Sequence, residues 1–205
     1  LSKLDGDVTT DADGSVELNF KEGAAWTGDN GGNTTMSLSK GSWNGANTGK
    51  LNAALTNGTT WTGDSSGAGS TIKLDASTWN GTNSGAKATI NLTDSSWTGD
   101  NSGAGLSLTA NNSKWNGNAL ADGKANLSNG ASWTGYSSAD NFALTLNAST
   151  WYNTGVSKLA SFASTNGVVD MTNAAGSVTI GSYSGDATVI YKHNSSNPSE
   201  VYGGN

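Results

Sequence analysis

The stretch Thr89-Ile90-Asn91-Leu92-Thr93-Asp94-Ser95-Ser96-Trp97-Thr98-Gly99-Asp100-Asn101-Ser102-Gly103-Ala104-Gly105 decides how the whole chain is read. Ile90 and Leu92 alternate with polar residues, so both point to one face of a strand. Asp94-Ser95 is turn chemistry, a lone Trp follows, and Gly, Asn, Ser and Asp then fill the way to the next alternating run. Nothing recurs at the helical period, and Gly, Thr and Asn run through the segment, which argues against a helix.

The same unit repeats outward in both directions. Trp occurs at 26, 43, 61, 79, 97, 115, 133 and 151, with a first spacing of 17 and every later one 18. Seven of the eight are followed by a polar residue and Gly, and the polar residue alternates as Thr27, Asn44, Thr62, Asn80, Thr98, Asn116 and Thr134. Self-similarity at this period predicts a solenoid, in which no unit can bury its apolar face alone. Met36 and Leu38, Ile72 and Leu74, and Leu144 and Leu146 repeat the pattern of Ile90 and Leu92, seven and five places before a Trp. The runs ending at Phe20, Leu55 and Leu127 stop six places before it, and the extra Gly of Asn57-Gly58 and Asn129-Gly130 reads as an insertion absorbed by the turn. Leu106 and Leu108, nine and seven places before Trp115, read as a further local shift.

Composition asks how such a chain can have a core. Gly, Ser, Thr and Asn make up just over half of the 205 residues, whereas Leu, Ile, Val and Phe supply about one in seven. That poverty alone would suggest disorder, but a charged fraction of 13% and eight Trp do not fit a solvated tail. A buried Trp removes roughly 150–250 Å² from water. At about 25 cal/mol per Å² a stacked column of eight replaces the missing aliphatics. The expected fold is therefore all-β, a parallel β-solenoid of about 18 residues per turn with an interior Trp ladder and outward polar residues such as Thr60, Thr62 and Thr98. The competing arrangement, a Trp stripe on the surface as a sugar-stacking platform, would leave the interior with two modest aliphatics per turn. Period alone also admits a two-sided roll or a left-handed triangle of three hexapeptides.

Three regions follow. Residues 1–25 read as an incomplete leading turn, with Val16, Leu18 and Phe20 running into Trp26; residues 26–151 are the Trp-x-Gly repeats; residues 152–205 read as terminal turns and a cap, richer in large apolar side chains. Leu1 in place of an initiator Met suggests a piece of a longer chain. A net charge of −6 with every basic residue a Lys leaves no footprint for nucleic acid or anionic lipid. Without Cys there is no disulfide framework or thiolate chemistry, and no apolar run is long enough to insert into a membrane.

Asn129-Gly130-Ala131-Ser132-Trp133-Thr134-Gly135, the Leu144-Thr145-Leu146 strand, Asn147-Ala148-Ser149-Thr150-Trp151 and the Trp-free tail with Gly167-Val168-Val169-Asp170 together resemble the pertactin-like passenger domains of autotransporters. The resemblance covers nearly the whole chain. It implies a right-handed parallel β-helix displayed outside a Gram-negative cell, with C-terminal turns that act as a stable folding nucleus, and adhesion to host or bacterial surface molecules, glycans among them, or self-association. A structural stalk or a filament growing through open solenoid ends is the alternative function, and a polysaccharide-active enzyme a third.

Chemistry offers few candidates. Asp29, Asp64 and Asp100 stand at the same place after Trp-Thr-Gly, but two turns apart they are too distant to share a proton or a metal, so they read as turn caps. His193, the only His, lies in a polar stretch and has too few partners for a triad or a metal cluster. Gly103-Ala104-Gly105 lacks the third Gly of a phosphate loop, and no Gly-Gly-x-Gly-x-Asp calcium nonapeptide occurs. No catalytic, cofactor or metal residue is therefore expected, and no enzyme.

Overall fold

A computed structural model of the chain describes residues 2–11 and 13–192. These form an all-β parallel solenoid of about ten turns. Each turn in the repeats is built from three parallel ladders of unequal length. A long strand of five or six residues, such as Thr34–Ser39, Thr71–Asp75 or Phe142–Asn147, lies directly beside the long strands one turn before and after it. A three-residue strand centred on Trp, such as Thr60–Thr62 or Ser96–Thr98, forms the second ladder. The third is a single bridging residue per turn, Asn30, Asn47, Ser65, Asn83, Asn101, Ala119 and Ser137. Three ladders of such different lengths are neither a two-sided roll nor a triangle of equal hexapeptides.

The interior follows from the pairing. Trp26 through Trp151 are at most 1% exposed and stack in register, with ring centroids 4.4–5.1 Å apart and planes within 3–8°. Trp burial, as the composition required, supplies the core. Leu4 stands in the Trp column below Trp26, and Val169 continues it above Trp151. Leu4-Asp5-Gly6 is thus a Trp-less version of the repeat signature, hidden in sequence by a spacing of 22 residues to Trp26.

Register holds where the spacing changes. Leu38, Leu55 and Leu74 are direct neighbours although Leu55 lies one residue farther from its Trp. The extra residue goes into the turn, where Asn57 and Gly58 both adopt left-handed φ values of 57° and 85°. Asn129 and Gly130 do the same. The local shift expected before Trp115 does not occur. Leu108 aligns with Ile90 and Ala110 with Leu92, so a small residue occupies a large one's place, and Leu106 adds the volume next to Gly123, itself flanked by Phe142. Size is traded between adjacent turns while the register stays constant.

The remaining turns carry a surprise at single residues. Lys40, Ala76, Asp94, Asn112 and Ala148 take left-handed φ values of 46–50° between the long strand and the Trp strand. For the residues other than Asn and Asp this costs about 1–2 kcal/mol each. The turn persists because the ladders on both sides of it are fixed by pairing.

Beyond Trp151 the two strands of a turn merge. Ser157–Asp170 pairs with both Phe142–Asn147 and Thr150–Asn153, and Val178–Ile190 lies alongside it with a register shift between Ser164 and Gly167. Val178–Ile190 is the last strand described, and no strand covers its outer edge among the described residues. Residues 193–205 of the expected cap, His193 included, lie outside the described residues.

The third ladder is a buried polar column that nothing in the repeat pattern announced. Asn30 Nδ2 donates to Asn47 Oδ1 at 2.7 Å, Asn47 Nδ2 to Ser65 Oγ at 3.1 Å, and Asn83 Nδ2 to Asn101 Oδ1 at 2.7 Å. All five side chains are fully buried. Where the shorter Ser65 replaces an Asn the chain of bonds breaks, and the buried Asn83 Oδ1 has no partner.

Two predictions follow from this packing. Trp97→Ala should lower the unfolding free energy by about 3–5 kcal/mol, read from chemical denaturation, whereas a surface Trp would give almost no change. Ser65→Asn should raise it by about 1 kcal/mol by supplying a donor to Asn83 Oδ1; a loss of stability would show that the column has no room for the longer amide.

Candidate functional site

Trp-x-Gly is a single mechanical unit. Each indole Nε1 donates to the carbonyl of the glycine one turn earlier, from Trp26 on Gly6 O to Trp151 on Gly135 O, at 2.8–3.0 Å. A Cβ at Gly28, Gly45, Gly63, Gly81, Gly99, Gly117 or Gly135 would come within 1.8–2.0 Å of that same column of carbonyls. Glycine is therefore required where the turns meet most closely, and the carbonyl it exposes satisfies the buried indole N–H. The signature ends at Tyr152-Asn153, where Val169, whose side chain has no N–H to satisfy, takes the next place in the column.

This corner shapes the outer surface. Trp points inward, the next residue outward, the Gly forms the bend, and the residue after it points outward again. The result is a shallow cleft whose floor is Gly99, Gly117 and Gly135 and whose walls include Thr98, Asn116 and Thr134 on one side and Asp100 and Asn118 on the other. Thr98, Asn116 and Thr134 make no side-chain hydrogen bond to any described residue, and neither do the residues that continue their column back to Thr27. On the outer face of the long strands Ser37 Oγ donates to Asn19 Oδ1 at 2.7 Å, while Thr71, Thr89 and Ser107, neighbours in one column, are likewise without side-chain partners among the described residues.

The three candidate carboxylates are structural. Asp29 Oδ1 accepts from Ala46 N at 2.7 Å, Asp64 Oδ1 from Thr82 N at 2.8 Å, and Asp100 Oδ1 from Asn118 N at 2.7 Å. They cap the backbone of the next turn rather than their own. The structure brings no two of them together, since Ala46 and Thr82 occupy the same place in the intervening turns. Gly103 and Gly105 lie in the loop leading to the strand Leu106–Asn111. Among the described residues no group of three His, Cys, Asp or Glu side chains is placed to hold a metal, and no helix is long and apolar enough to cross a membrane. Ion pairs are exposed, as in Lys158 with Asp140 at 3.2 Å, and worth little.

Sequence reasoning found the Thr and Asn alternation without finding the cleft beside it. The missing signal was the residue three places after each Trp, whose outward direction depends on the bend at Gly. No protein-family model, curated protein or solved structure matches this chain.

Removing a capping carboxylate should have a small effect. Asp64→Ala is expected to lower stability by about 1 kcal/mol through the loss of one exposed backbone hydrogen bond, with the circular dichroism spectrum unchanged. A loss several times larger would mean that this column, rather than the Trp column, controls the stacking of turns.

Proposed function

We propose that the chain is a rigid, surface-displayed passenger domain that acts in adhesion or self-association outside a Gram-negative cell, and that it is not an enzyme. One observation carries this reading. Every Trp is consumed by the core, so the long outer faces present hydroxyls and amides repeated once per turn, with little charge. Such a surface suits many weak contacts in parallel, where linkage of repeated sites supplies the affinity. The autotransporter resemblance of the Trp-Thr-Gly and Ala-Ser-Thr-Trp units supports the same placement. Partners would be surface molecules of host or bacterial cells, or further copies of the rod.

End-to-end assembly is the second reading, favoured by a separate observation. Among the described residues no strand covers the inward column of Val178–Ile190, and Tyr183 is 52% and Val189 48% exposed above the buried Phe162 and Val169. An open edge of this length with few charges pairs readily with another strand.

Beads coated with the chain separate these readings. Adhesion predicts that they bind cultured epithelial cells or bacteria, or cluster with one another, in proportion to coating density. End-to-end assembly predicts instead concentration-dependent rods in analytical ultracentrifugation that Tyr183→Lys abolishes. Beads that neither bind nor cluster, with a chain that stays monomeric, would overturn both.

A further inference from the structure

The cleft beside the Trp ladder has the chemistry of a site. Its first wall is Thr98, Asn116 and Thr134, which present donors and acceptors that the protein itself leaves unused. Ser96 Oγ, on the other side of Trp97, is by contrast spent on Thr78 Oγ1 at 3.2 Å. The floor stays open because the packing of turns forbids a Cβ on the glycines. No Lys lines the cleft, and Asp100, its one carboxylate, has Oδ1 engaged by both Asn118 N and Asn118 Nδ2. These features favour an uncharged, hydroxyl-rich and amide-rich ligand over an anion or a cation.

Length and period narrow the class. Successive turns are separated by the 4.4–5.1 Å of the Trp stack, about the advance of one ring in an extended β-1,4-linked pyranose chain. The wall alternates Thr and Asn, so its chemistry repeats every second turn. In a β-1,4-linked chain each ring is turned over relative to the last, and its chemistry also repeats every second residue. We infer that this cleft binds an extended, uncharged β-1,4-linked polysaccharide parallel to the rod axis, with one sugar per turn. Tyr152 continues the first wall after Thr134 and is 42% exposed, placing an aromatic ring at the end of the track, where a sugar face can stack. The inference rests on the surface-recognition reading and names its ligand class.

Titration of the full chain with cellohexaose and with chitohexaose, followed by calorimetry and by indole fluorescence, tests it. Either hexasaccharide should bind roughly tenfold or more tighter than its own disaccharide, because more turns are engaged. Maltohexaose, whose α-1,4 links curve away from a straight track, should not bind. The double variant Thr98→Ala/Asn116→Ala removes exposed side chains without hydrogen bonds, so its melting should be unchanged while hexasaccharide affinity falls by roughly tenfold. Lys73→Ala, on the outer face of the long strands, should leave affinity intact. The inference is overturned if neither hexasaccharide binds saturably, if maltohexaose binds equally well, or if the double variant binds as the parent does. Coated beads that adhere to cells by a chain with no oligosaccharide affinity would overturn the cleft alone. Beads that never adhere, from a chain that does bind hexasaccharide, would overturn the adhesion reading and leave the cleft.

Discussion

The hydrogen bond from each indole N–H to a glycine carbonyl one turn below is the constraint on which the rest of the solenoid depends. Strand pairing sets a separation near 4.8 Å between turns, which is more than the optimum of about 3.5–4.0 Å between stacked carbons. Parallel rings with centroids 4.4–5.1 Å apart are therefore offset along their planes, the arrangement that the aromatic quadrupole prefers. An offset stack could slide. The Nε1 bond at 2.8–3.0 Å fixes the amount of offset in every turn, and so aligns the Trp column with the glycine corner. Insertions are then confined to the turn before Trp or the loop after Gly, and the period is conserved although the distance from leucine to Trp is not.

That coupling explains which features were legible. Trp spacing gave the period, the period gave the solenoid, and the low aliphatic content placed the Trp inside; all three rest on residues that are rare and therefore informative. The Asn30–Asn47 and Asn83–Asn101 bonds were not legible, because Asn in a chain with so much Gly and Ser reads as turn chemistry. A buried amide looks the same in sequence as an exposed one. The Trp115 unit misled for a related reason. Leu106 and Leu108 are the large residues there, and a pattern of large residues alone hides that Ala110 holds the place of Leu92. The cleft was half legible, since one of its walls was visible as an alternation and its geometry required the bend at Gly.

A solenoid's stability is a sum over neighbouring turns, so its ends differ from its middle. Residues 1–25 carry six acidic side chains against Lys3 and Lys21, which places most of the net charge of −6 at one end. Charge on that edge discourages pairing with a stray strand. Among the described residues the other end has no such protection. Ile180, Tyr183 and Val189 continue the columns of Leu159, Phe162 and Val169, yet each is more than a third exposed.

The weak end bears on the proposed passenger role. That role would need C-terminal turns that act as a stable folding nucleus. Val178–Ile190 buries less of its apolar surface than any strand of the Trp repeats, and local opening starts where burial is least. It can act as a nucleus only when something covers Ile180, Tyr183 and Val189. The middle turns need no such cover, because Trp79 through Trp133 are each sandwiched by two neighbours. Cover over the exposed columns therefore adds stability to the end of the rod and leaves the outer faces of the repeats exposed.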